Sequence, residues 1–228
     1  MHPAVAIALA YVAGSIPAAY IAGRMRGVDL RKHGSGNLGA TNVIRVLGPR
    51  IGLAVFAVDV AKGAFPVFLL PRWTTGALPP ILVAIACGVA AILGHTRPVF
   101  LRFGRGGKGV ATAAGVFLAL APIQTALTLI IFAIVLLASG YVSLGSLVGA
   151  TMLPVLIAVT LGPRSPVFAI SALVAIFVYW THRANIARLR RGEENRFGKR
   201  GVPLHRMTVV LAIGLAVVLA VLVAARFA

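Results

Sequence analysis

Long apolar runs separated by short polar segments make up almost the whole chain. The hydrophobic stretches fall at residues 3–23, 51–70, 77–94, 110–121, 123–140, 143–161, 166–181 and 207–226. Most approach the ~20 residues a helix needs to cross a bilayer. The pattern predicts an all-α fold, a polytopic integral membrane helical bundle. The 110–121 run is short for a full crossing, which suits a tilted or re-entrant element, and Pro122 divides it from the next run. No linker, low-complexity stretch or internal repeat breaks the series. Residues 1–206 therefore read as one membrane domain, with 207–228 as a further transmembrane helix of the same domain.

Composition agrees with this pattern. Sixty per cent of the 228 residues are hydrophobic, and the mean hydropathy is +0.98, far above a soluble domain. The net charge of +18 would suit nucleic acid if it were spread over one surface, but it is not. Of the 22 Lys and Arg, six lie in 24–50, four in 95–109 and eight in 182–206. Basic clusters between apolar runs follow the positive-inside rule, and no aromatic-interleaved basic surface accompanies them, so no nucleic-acid partner is expected. No positive charge precedes the first apolar run, so it reads as a retained helix with its N-terminus outside, not a cleaved leader. Threading the eight runs from there puts all three basic segments on the inner side and Ala228 outside. The single Cys87 lies in an apolar run and rules out a disulfide framework or a Cys-based metal site.

The polar chemistry gathers in the inner segments. Gly34–Gly48, GSGNLGATNVIRVLG, carries hydrogen-bonding groups on Ser35, Asn37, Thr41 and Asn42, and Arg45 can grip an oxyanion through two N–H groups. The second loop, Gly94–Gly109, ends in GRGGKG. Glycines let backbone N–H groups approach an anion and Lys108 adds charge, so Gly106, Gly107 and Gly109 read as an anion cradle. It is not a nucleotide P-loop: Gly109 stands where a hydroxyl residue is required, and Arg102 where a glycine is. His95 ends an apolar helix and is expected to cap that helix's last carbonyls. In YVSLGS, Ser143 and Ser146 share a helical face. In the third inner segment His182, Asn185 and Leu189 do likewise, Gly192 ends the helix, and Glu194 is expected in a structural ion pair with nearby arginines. Asp59 and Lys62, one turn apart within a span, admit two readings: a functional site, or a neutral pair that fixes packing.

GSIP with Tyr20, GSGNLGATNVIR, DVAKG, GHTRPVF, GRGGKGVAT, YVSLGS and HRANIARLRRGEE, taken in this order, resemble the bacterial membrane acyl-phosphate:glycerol-3-phosphate acyltransferases over about residues 5–200. The resemblance implies seven family-like spans, with 207–226 as an extra one. It implies an enzyme of phospholipid biosynthesis, multi-pass in the bacterial inner membrane, with its site at the cytoplasmic face. Fatty acyl phosphate and glycerol 3-phosphate would be its substrates, and lysophosphatidic acid and inorganic phosphate its products, with no cofactor and no metal. Ser35 and Arg45 would belong to the essential first motif, Gly106, Gly107, Lys108 and Gly109 to the glycerol 3-phosphate loop, His182 and Asn185 to activity, and Glu194 to structural integrity. Arg97 departs from the bulky apolar residue usual in the family.

An acyl phosphate is a mixed anhydride with a good leaving group, so positioning and charge stabilisation suffice. Ser35 and Ser143 are expected as hydrogen-bond donors, with Arg45 and Lys108 countering phosphate charge. No His-x4-Asp pair exists: the positions five after the histidines hold Ile7, Leu38, Phe100, Ala187 and Val210. The base is therefore His182 or a substrate phosphate, and no acyl-enzyme is expected. The alternative is a membrane transporter of a phosphate-bearing solute, which predicts polar positions along a path on both sides.

Overall fold

The computed structural model of the chain describes residues 1–76 and 78–197, among which there is no β-strand. Ten α-helices are described: α1 Pro3–Gly14, α2 Ala18–Met25, α3 Ala40–Leu47, α4 Pro49–Leu69, α5 Pro80–Thr96, α6 Val110–Leu120, α7 Pro122–Ser139, α8 Val142–Leu161, α9 Pro166–Thr181 and α10 Arg183–Arg190. Five of them begin on proline. That residue has no N–H to leave unsatisfied in the first turn, and its φ is already helical. The chain divides between α6 and α7 into two compact units, the first Met1–Leu120 and the second starting at Ala121. The division lies inside the stretch expected as one domain.

Five spans are long and apolar enough to cross a membrane, and a sixth arises if the bent α9–α10 pair is one span. The eight runs therefore do not map one to one. The run at 110–121 forms the 11-residue α6, too short to cross alone. The expected span at 207–226 lies outside the described residues. Large apolar side chains face outward, Leu173 and Ile176 being 61% and 67% exposed, whereas Asp59 is 2% exposed. A lipid-facing exterior explains that inversion.

In the first unit α4 packs most extensively on α6, and α1 on α5. Lipid tails supply no hydrophobic contrast between helices, so close backbone approach must hold them together. Two glycines make this possible at the α4–α6 seam. A Cβ at Gly63 would strike the Thr112 carbonyl, and one at Gly115 would strike that of Val60. Cys87 is buried with Ala6, Ala10, Val83 and Ala90 between α1 and α5, the small apolar role its sequence context suggested.

The first apolar run is not one helix, because Pro17 cannot donate a backbone hydrogen bond and the helix stops at Ser15. Ser15 Oγ donates to Tyr11 O at 2.8 Å and accepts from Val99 N at 3.3 Å. Tyr11 Oη donates to Arg97 O at 2.6 Å. The broken end of α1 thus clamps the loop that follows α5.

Candidate active site

In the first unit two loops carry the expected anion-binding groups. Before α3 the chain turns through Asp29, whose carboxylate accepts from Arg31 Nε and Nη2, both at 2.9 Å. The Arg31 side chain and N–H beside it hold that half-buried carboxyl down to about 2. The next turn is organised by Asn42, 1% exposed. Its Nδ2 donates to Leu30 O at 3.2 Å and His33 O at 3.1 Å, and its Oδ1 accepts from Ser35 N at 2.8 Å. Both amide hydrogens are thus engaged with the loop itself. Ser35 is exposed, Asn37 and Thr41 are half-buried, and Arg45 sits exposed on α3.

The second loop folds back on the end of α5. Arg102 and Phe103 both adopt left-handed backbone, φ 52° and 58°, which non-glycine residues hold only under constraint. Gly106 N donates to Thr96 O at 3.0 Å, and Gly107 N to His95 O at 3.3 Å. Arg97, the departure noted above, donates from Nη1 to Phe103 O at 3.4 Å. Gly109, at φ 84°, hands the chain to α6, and Lys108 beside it is half-buried. The two loops meet: a Cβ at Gly107 would lie 2.9 Å from Leu38 O, and Leu38, Gly106 and Gly107 line one small cavity. Separated by nearly seventy positions in the chain, the expected anion-binding segments are adjacent in space.

His95 is not a helix cap. Its ring lies buried at the end of α5, with Nδ1 3.5 Å from Asp59 Oδ1 on α4. Asp59 Oδ1 also pairs with Lys62 Nζ at 2.8 Å, and Lys62 donates to the Ile16 carbonyl at 2.7 Å. That carbonyl is available because the helix breaks at Pro17. Asp59 and Lys62 therefore do neutralise each other and fix packing, but they also line the cavity beneath the glycine loop.

The second unit holds the remaining residues. Glu194, buried, accepts at Oε1 from Ser143 Oγ at 2.9 Å and Asn185 Nδ2 at 2.6 Å, and at Oε2 from Arg188 Nε at 2.7 Å. Burial works to raise its carboxyl, but the bonds from Asn185, Arg188 and Ser143 prevail and hold it below the ordinary value. The expected ion pair is present, its partner is Arg188, and the same carboxylate also binds Ser143 and Asn185. Ser146 instead donates to Val142 O at 2.9 Å, a packing role.

His182 does not continue one helical face with Asn185 and Leu189. It occupies the corner where α9 ends and α10 begins, at a bend of 60°. Its Nδ1 is 2.9 Å from Val178 O. A carbonyl only accepts, so Nδ1 carries a hydrogen in this contact. At the end of α10 Gly192, at φ 71°, donates to Leu189 O, and Glu193 N donates to Arg188 O. This C-terminal motif turns the chain back so that Glu194 faces Asn185. Phe197 N then donates to Gly140 O at 2.6 Å, which ties the segment to the start of α8.

Comparison with known proteins follows the same motifs. The family model described as Glycerol-3-phosphate acyltransferase matches residues 4–192. The Glycerol-3-phosphate acyltransferase of Geotalea daltonii is 45% identical over 188 residues, covering 82% of this chain and 94% of its own. That of Synechococcus elongatus is 46% identical over 202 residues, covering 86% and 95%. The crystal structure of PlsY (YgiH), an integral membrane glycerol 3-phosphate acyltransferase, in its glycerol 3-phosphate form, superposes with a TM-score of 0.79 at 36% identity, covering 86% of this chain and 96% of that one. Its lysophosphatidic acid form gives 0.75 at 35% identity, covering 86% and 95%.

Proposed function

This chain belongs to the glycerol-3-phosphate acyltransferase family, and we propose that it transfers a fatty acyl group directly from an acyl phosphate to the 1-hydroxyl of glycerol 3-phosphate. The hydroxyl oxygen attacks the acyl carbonyl carbon and forms the ester bond. The bond from that carbon to the phosphate oxygen breaks, and inorganic phosphate leaves. The observation that carries this reading is the meeting of the two glycine-rich basic loops at Leu38 and Gly107. The side chains of Ser35, Arg45 and Lys108 there offer the donors and charge a dianionic phosphate requires, the Gly106 and Gly107 N–H groups being engaged with the Thr96 and His95 carbonyls. The glycerol 3-phosphate form of the related PlsY adds support.

Each further residue takes a role from its own surroundings. Asn42 holds the backbone of Ser35, and Asn37 and Thr41 offer further donors to substrate. Ser143 and Asn185 donate to Glu194, which fixes both side chains in the segments that the family resemblance ties to activity. The Nδ1 contact with Val178 orients the His182 ring, which supports it, when neutral, as the acceptor of the glycerol hydroxyl proton. The reaction takes place at the cytoplasmic face of a bacterial inner membrane, where the basic segments reside. The transporter reading, which needs polar positions along a path, gains nothing from the intramembrane charges, because Asp59 and Lys62 are engaged with each other and with Ile16.

Purified protein mixed with synthetic acyl phosphate and labelled glycerol 3-phosphate should form lysophosphatidic acid, whereas acyl-CoA or acyl-carrier protein should not replace the donor. Radiolabelled acyl phosphate alone, quenched in acid, should leave no label on the protein. Stoichiometric label chased into product by glycerol 3-phosphate would overturn direct transfer.

A further inference from the structure

Three buried ionisable residues stand behind the glycine-rich loop, and nothing in the reaction above uses them. Asp59, Lys62 and His95 are 2%, 6% and 5% exposed. Lys62 has two partners, Asp59 and the Ile16 carbonyl. His95 Nδ1 lies 3.5 Å from the same Asp59 oxygen and makes no hydrogen bond to a described residue. The other side of the ring faces the loop. A Cβ at Gly107 would run into His95 Nε2 and Cε1, and one at Gly106 into the His95 carbonyl. The Gly107 N–H donates to that carbonyl. Imidazole and glycine loop therefore share one contact surface, with the acid on the far side of the ring.

The Gly106 and Gly107 N–H groups are already engaged with the Thr96 and His95 carbonyls, so this backbone serves an anion through what it carries, Lys108 above all, and a run of glycines has no side chains of its own to hold that path. A rigid support under the loop reduces the ordering cost at binding. We propose that His95, seated against Asp59, is a positioning residue that sets the Gly106–Gly107 backbone and with it the affinity for the phosphate of glycerol 3-phosphate. The proposal rests on the reading of GRGGKG as the glycerol 3-phosphate loop.

The test varies both substrates independently on purified full-length protein in detergent. His95→Ala and Gly107→Ala should each raise KM for glycerol 3-phosphate about tenfold, with KM for acyl phosphate within about twofold. The double variant should rise by far less than the product of the two single effects, since both singles disturb one contact. Equal rises in both KM values, or a multiplicative double variant, overturn the proposal. Lys108→Met separates the two levels of the argument. If it raises KM for glycerol 3-phosphate while the His95 and Gly107 variants leave it unchanged, the positioning role falls and the loop assignment stands. If Lys108→Met leaves KM unchanged too, the loop assignment falls and the proposal with it. Should His95→Ala not elute as folded protein, His95→Gln and Gly107→Ala carry the comparison, and an unchanged glycerol 3-phosphate KM in both refutes it.

Discussion

Under the proposed function, Lys108 and Glu194 divide the work between ligand and scaffold. Lys108 lies in the glycine loop, so Lys108→Met should remove one charge-assisted contact, worth about 1.5–3 kcal/mol. That corresponds to a rise of roughly 10–150-fold in KM for glycerol 3-phosphate, measured against an unchanged acyl phosphate KM. Glu194 holds Ser143, Asn185 and Arg188 through one carboxylate. Its carboxyl is held below the ordinary value of 4.5, so it binds protons less readily folded than unfolded. Its stabilising contribution is therefore complete above that value and is lost as pH falls further, through the folded-state value. Thermal melts of wild type from pH 7 downwards should show this acid loss. Glu194→Gln should melt lower at pH 7 and lack that part of the acid limb; identical pH profiles for the two proteins would contradict the assignment. Cys87, between α1 and α5 and far from either loop in role, should tolerate Cys87→Ala with near wild-type activity.

At the level of helices, the short α6 depends on its contact with α4. It is too short to span a bilayer alone and begins directly after the glycine-rich loop. Its position therefore comes from packing against α4 through Gly63 and Gly115, where a Cβ would meet backbone carbonyls. Overpacking of this kind typically costs about 1–3 kcal/mol. Gly115→Ala should lower the melting temperature and, by shifting the start of α6, raise KM for glycerol 3-phosphate. A variant with unchanged melting and kinetics would show that the seam can open without moving the loop. The break in the first span works in a similar way. Pro17 ends α1, and the Ile16 carbonyl it releases is used by Lys62. The cost of a broken helix at membrane depth is offset by a polar partner, as the absence of water there requires.

For the molecule as a whole, every residue assigned a role precedes Arg206, and the family match ends at residue 192. Truncation after Arg206 should therefore preserve acyl transfer in a protein that purifies folded. A folded but inactive truncation would show that the C-terminal run supports the site. The placement of 18 of the 22 basic residues in three segments also predicts orientation. All three basic segments stay on one side only if the short α6 completes a crossing together with its flanking residues, so an alkaline phosphatase reporter fused after Ala228 should be active after eight crossings from an outer N-terminus. An inactive reporter would remove one crossing from that count.

The helical membrane class, the basic clusters between apolar runs and the motifs GSGN, GRGGKG and YVSLGS were legible from sequence. Hydropathy runs and glycine or basic clusters are local properties, and bilayer thickness alone converts an apolar run into a helix of known length. The Gly192 stop was legible for the same reason, since a left-handed turn residue terminates a helix through its nearest neighbours. His95 was misread because its sequence neighbours are helix-end carbonyls, whereas its partner Asp59 stands 36 positions earlier on another helix. The pairing of Asn185 and Ser143 through Glu194 was equally hidden, as it joins α8 to a segment beyond α10. The corner at His182 replaced an unbroken helical face that spacing alone supported. Contacts between distant segments depend on which helices pack together and how closely glycine lets them approach, and only the tertiary structure decides that.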